Sequence, residues 1–173
     1  MSPTRDGVEP ARPAWSDFTD EQRYILYETG VSDQNLICLL NGWVCGEDAV
    51  YWNRKGPYVA PLARAAQSLV ELGLVEVWAE PVTVGEGGLM LREDAVAVLG
   101  DPSNWWRYDP DDNWNSNEDF SRYAGLEDSD TSPMTVIYTL FTTDATNELG
   151  LIRWPWWRGS TRPQPPTSGA NTG

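Results

Sequence analysis

The 173-residue sequence predicts an α+β fold. Residues 15–100 read as three helices, a two-stranded hairpin and a following helix, and an acidic, Trp-rich C-terminal extension then carries one strand and a short helix. Three observations predict this. In "LARAAQSLVELG", Leu62, Ala65, Ala66, Leu69 and Leu72 recur at spacings of three and four, which places them on one helix face. Directly after it, "LVEVWAEPVTV" alternates in the manner of a half-buried strand, with Val75, Val77 and Ala79 on one side. From 101 to 133 the composition turns to Asp, Asn, Ser and Pro, with nine acids, two arginines and three tryptophans, so turns replace periodic structure.

Each element has its own local signal. Residues 1–14 are Pro-rich and polar and read as a flexible N-terminus. "WSDFTDEQRYILYETG" opens the first helix, with Asp17 or Thr19 as cap and Gly30 as stop. "SDQNLICLLNGW" is a second, shorter helix, capped by Ser32 or Asp33, with Leu36, Leu39 and Leu40 inward and Gly42 as stop. The third helix begins near Pro57 to Pro61, where a proline costs no hydrogen bond, and Gly73 ends it in the left-handed conformation. Gly85, Gly87 and Gly88 form the hairpin tip, "LMLR" returns, and "EDAVAVLGDP" is a short helix ended by Asp101 and Pro102. "MTVIYTLFTTD" has the best strand content in the chain. Asp144 then caps a short helix stopped by Gly150, within a strand–helix element over 134–158, and residues 159–173 read as a disordered tail.

Composition removes several function classes. The chain holds no histidine and two cysteines, Cys38 and Cys45, too few for a structural zinc site of about four ligands. Cys38 is expected as a buried thiol on an apolar helix face, and no metal or other cofactor is expected. Without histidine there is no Ser-His or Cys-His nucleophile pair, and there is no P-loop. Acid pairs such as Glu93 with Asp94 and Asp111 with Asp112 read as solvated surface, so no catalytic residue is assigned and an enzyme is not expected. No apolar run reaches the length of about 18 residues that spans a bilayer, and the first residues lack the apolar core of a secretory signal. The expected location is cytoplasmic.

Charge is the most informative number. With 26 acids against 12 bases the net charge is −14. A nucleic-acid binder ordinarily presents a basic face, whereas strong acidity suits a basic protein partner or mimicry of a polyanion.

"LARAAQSLVELGLVEV" at 62–77 resembles the third helix and first wing strand of winged helix-turn-helix proteins, notably the MarR-like regulators. The resemblance rests on Ala65, Ala66, Leu69, Leu72, Gly73, Leu74 and Val75, with "LREDAVAVL" similar to the helix after the wing, and it covers about residues 17–100. It implies a winged-helix domain over 15–100. It also implies DNA-facing positions at Arg54, Lys55 and Tyr58 before the helix, and at Arg64, Gln67 and Ser68 on its exposed face. Arginine and lysine there would meet phosphates, while Arg64 and Gln67 carry donors suited to base edges. The wing departs from that pattern: "WAEPVTVGEGG" carries Glu80 and Glu86 and no base, and residues 1–100 hold 15 acids against seven bases.

Tryptophan is the other clue. Trp105, Trp106 and Trp114 stand among acids, and Trp154, Trp156 and Trp157 stand beside Arg153 and Arg158. Large aromatics either fill a core or anchor a partner, which makes these six the candidate partner-binding residues. The leading expectation is a non-enzymatic, acidic winged-helix protein working through contacts with a basic protein partner, as adaptor, assembly subunit or inhibitor. The alternative is a winged-helix transcriptional regulator on DNA. The third is an immunity-type or DNA-mimic protein that blocks a nuclease through the acidic stretch 101–130. A homodimer is compatible with each.

Overall fold

The computed structural model describes residues 13–45, 55–82, 85–105 and 135–151. They form five α-helices and a four-stranded antiparallel sheet, so the fold is α+β.

Helix α1 spans Asp20–Val31. Thr19 caps it in a reciprocal box: its hydroxyl accepts from the Gln22 N–H, and the Gln22 side chain accepts from the Thr19 N–H at 2.9 Å. Gly30 does not stop this helix. The chain stays helical to Val31, and the Ser32 N–H closes on the Glu28 carbonyl. Strand β1, Gln34–Asn35, follows at once and holds the backbone extended up to α2, Leu36–Val44. Asn35 therefore takes the cap expected of Ser32 or Asp33, its Oδ1 accepting from the Cys38 N–H at 2.7 Å. Gly42 also lies inside its helix, which ends two residues later.

Six residues of α2 are buried: Leu36, Ile37, Leu39, Leu40, Trp43 and Val44. At about 100° per residue they cover one arc, and position 38 points away from its centre. Cys38, expected in the core, is exposed for that reason.

Helix α3, Val59–Glu71, enters through a 3-10 turn at Gly56–Tyr58 with Pro57 in its first turn. Leu62, Ala65, Ala66 and Leu69 are buried as the periodicity predicts, joined by Val59, Ala63 and Val70. Leu72 is 55% exposed, because the helix has ended and the chain turns away at Gly73, which takes φ +72°. Strand β2, Val75–Pro81, buries Val75 and Val77 and exposes Glu76, Trp78 and Glu80, the alternation read from the sequence. It turns back into β3, Gly88–Leu89, with Trp78 opposite Leu89. Helix α4 is Arg92–Gly100, and a 3-10 turn at Pro102–Trp105 follows.

Strand β4, Val136–Thr142, pairs along the whole of β2, from Val75 opposite Thr142 to Pro81 opposite Val136. On its other side it takes β1, so the sheet order is β1-β4-β2-β3. In helix α5, Asp144–Glu148, Thr143 rather than Asp144 holds the N-cap position, without a side-chain cap bond, and Gly150 follows the helix at φ +62°. One core joins α1–α4 with β2 and β4, with Ile25, Leu26, Leu39, Leu62, Leu69, Val77, Leu99, Leu140 and Leu151 among its residues.

Candidate interaction surface

The helix face expected to meet DNA is largely occupied by the protein itself. Lys55 is 5% exposed, and its ammonium donates to the Asn41 side-chain Oδ1 at 2.9 Å. Tyr58 is buried in the core. Gln67 is half-buried and donates to the Val96 carbonyl of α4 at 2.8 Å. Ser68 is half-buried and accepts from the Gln22 amide of α1 at 3.1 Å. Helix α3 packs against both α1 and α4, so the strip left to solvent is narrow and centres on Arg64. Gln67 and Ser68, expected on a solvated face, are half-buried with their polar groups engaged within the fold, and the placing of Lys55 and Tyr58 at the surface is corrected, since both are buried. Arg54 lies outside the described residues.

Trp105, expected as a partner anchor, is a core residue with no exposed surface. Its indole N–H donates to the Leu99 carbonyl at 2.9 Å, which satisfies the one polar atom that burial would otherwise strand. Trp106, Trp114, Trp154, Trp156 and Trp157 lie outside the described residues.

A surface that no local sequence signal marks lies on the outer side of the sheet. Residues opposite one another in a ladder share a face, so Glu76, Trp78 and Glu80 of β2 stand beside Phe141, Thr139 and Ile137 of β4. Leu89 extends the row past Trp78. Trp78 is 38% exposed and Leu89 54%. Where the turn from α1 to β1 meets this face, an open cavity of about 590 Å³ is lined by Asp33, Trp78, Glu80, Thr139, Phe141 and the last turn of α1. Val31, on its rim, is 64% exposed.

The charged side chains described around this cavity are all acidic. Among the described residues that line it, two are carboxylates, Asp33 and Glu80, and none is basic. The C-terminal end of α1 borders the cavity and carries the equivalent of about half a negative charge, with no Lys or Arg in that last turn to offset it. Glu76, two residues before Trp78 on the same face, is exposed as well. Among the described residues no group of three His, Cys, Asp or Glu is placed to hold a metal ion, and no helix is long and apolar enough to cross a membrane.

The chain matches no protein-family model, no curated protein and no solved structure.

Proposed function

We propose that this chain is a non-enzymatic, acidic protein that works by binding another protein, on a scaffold of winged-helix type. The open outer face of the sheet carries the proposal. It presents Trp78 and Leu89 in one cross-strand row and Phe141 in the adjoining row opposite Glu76, with carboxylates at their margins, in a chain whose net charge is −14. Aromatic anchors ringed by polar groups are the usual anatomy of a protein interface. The order of three helices, hairpin and helix over 20–100 supports the scaffold part of the reading. The regulator reading has less support, because of its described candidate residues only Arg64 is fully exposed, while Gln67 and Ser68 are half-buried and engaged within the fold.

Two measurements test this. Affinity capture from the host, analysed by mass spectrometry, should retain one stoichiometric protein partner at physiological salt. Fluorescence anisotropy with a random duplex at low salt should show no binding. Salt-sensitive duplex binding that Arg64→Glu abolishes would instead establish the DNA reading, since phosphate contacts dominate such affinity.

A further inference from the structure

The cavity between the α1–β1 turn and the outer sheet face has a chemistry specific enough to name what fills it. Resting on the protein-binding reading above, we propose that it is a docking site for a polypeptide segment of the partner that presents Arg or Lys next to an apolar side chain. Three features of the site converge on that occupant.

First, the cation. Asp33, Glu80 and the carbonyl end of α1 border one cavity of about 590 Å³, and Glu76 lies on the same face. A guanidinium or ammonium group entering there meets carboxylates and helix carbonyls, both of which accept charge-assisted hydrogen bonds. Second, the apolar neighbour. Trp78, Phe141 and Val31 line the same cavity, exposed Leu89 stands opposite Trp78 on the neighbouring strand, and Trp78 offers an aromatic face on which a cation also stacks favourably. Third, the other occupants are opposed by charge. A second copy of this chain, related by a twofold axis across the sheet face, would bring Glu76 and Glu80 against their own counterparts. A nucleic acid would bring phosphates to the same carboxylates. A basic, partly apolar peptide is the complement of what is there.

The aromatic anchor is also pre-placed. Gly87 in the hairpin lies directly beneath the Trp78 indole, so closely that a β-carbon there would collide with its Nε1. The indole thus packs against bare backbone, which reduces the ordering cost on binding.

The test uses the full chain and a defined probe, the acetylated and amidated heptapeptide Gly-Arg-Leu-Arg-Leu-Arg-Gly, with its Glu-for-Arg counterpart as control. Binding is followed by titration calorimetry and by 1H–15N NMR of the labelled protein. The Arg peptide should shift the Trp78 indole and the Thr139 and Phe141 amides, and the Glu peptide should shift none of them. The E76R/E80R double variant should weaken the Arg peptide at least tenfold. E71R/E148R changes the net charge equally at exposed positions away from the cavity, and should weaken it less than twofold. Far-UV circular dichroism checks that both variants fold.

Equal weakening by the two pairs, shifts centred elsewhere, or no binding of the Arg peptide would overturn the proposal. Its failure is separable from that of the broader reading. A captured partner that E76R/E80R still binds at full strength removes this docking site and leaves protein binding in place. Localised peptide binding without any captured partner does the reverse.

Discussion

The Thr146 hydroxyl donates to the Leu74 carbonyl at 2.5 Å, across 72 positions of sequence. Next to it, the Thr143 hydroxyl donates to the Gly73 carbonyl at 2.7 Å and the Thr143 N–H to the Leu74 carbonyl at 3.1 Å. Two threonines around the start of α5 thus hold the turn in which α3 becomes β2. Thr146→Val keeps the volume and removes one of these bonds. Because Leu74 O retains the Thr143 N–H, no carbonyl is stranded, and the expected loss is about 1 kcal/mol rather than the larger penalty of an unsatisfied group. Thermal unfolding should show a fall of roughly 2–4 °C, and Thr146→Ser should recover most of it.

Gly73 occupies φ +72° with open space around it: a β-carbon added there would have an Arg92 guanidinium nitrogen as its nearest neighbour, at 3.8 Å. Any penalty for Gly73→Ala is therefore backbone strain and not a clash. The expected cost is about 1–2 kcal/mol by chemical denaturation. Gly73→Asn should cost less, because asparagine tolerates this conformation better.

Trp105 separates a core role from an interface role. Its indole is fully buried and bonded to the Leu99 carbonyl. Trp105→Ala should destabilise the protein by about 3–5 kcal/mol. Trp78→Ala, at a partly exposed position, should change the unfolding midpoint far less while reducing binding of the Arg peptide. Urea unfolding of both variants gives the comparison. Equal losses of stability would contradict the placement of these two tryptophans.

What is legible in the sequence follows from how local each signal is. The inward stripe of α3 from Leu62 to Leu69, the αL turn at Gly73 and the alternation of Val75 with Val77 in β2 depend on neighbours a few residues away and read correctly, whereas Leu72, read as part of the stripe, is exposed because the helix has already ended. β1 does not, because two residues carry no periodicity, and its presence moves the α2 cap to Asn35. Gly30 and Gly42 read as stops, yet each lies in a helix whose ends are set by the sheet and the core. Lys55 reads as surface charge. It is buried through a partner, Asn41, that charge counting does not reveal. The candidate cavity is the least legible feature. In the sequence Glu80 stands out only as an acid where a wing would carry a base, and nothing near Trp78 marks it as an anchor. The site exists only because β4 pairs with β2 and β1 from more than fifty residues away, bringing Phe141 and Thr139 beside Trp78 and under the end of α1.

Tyr24 and Gly42 are coupled through one atom. The Tyr24 hydroxyl donates to the Leu39 carbonyl at 2.8 Å, and a β-carbon on Gly42 would stand 2.5 Å from that oxygen. Replacing a helical glycine by alanine ordinarily gains about 1 kcal/mol. Here Gly42→Ala should destabilise the protein, since the buried ring is also packed against Trp43 at 5.0 Å between centroids. In a Tyr24→Phe background the obstructing oxygen is gone, and Gly42→Ala should become neutral or stabilising. A double-mutant cycle by chemical denaturation measures the coupling, which should exceed 1 kcal/mol, on the order of that for residues in direct contact.

Gly87 controls the posture of Trp78 without contributing charge. A β-carbon at Gly87 would collide with the indole and stand 3.1 Å from the Ala79 carbonyl oxygen. The backbone of the paired strands cannot give way cheaply, whereas the indole can swing toward solvent. Gly87→Ala should therefore leave the unfolding midpoint within a few degrees of the parent while displacing the ring. The Trp78 indole resonance, assigned through Trp78→Phe, should move in the absence of any peptide. Binding of the Arg peptide should weaken although Asp33, Glu76 and Glu80 are intact. That outcome would divide affinity between the aromatic anchor and the carboxylates. An unchanged indole resonance would mean that the contact with Gly87 does not set the position of the ring.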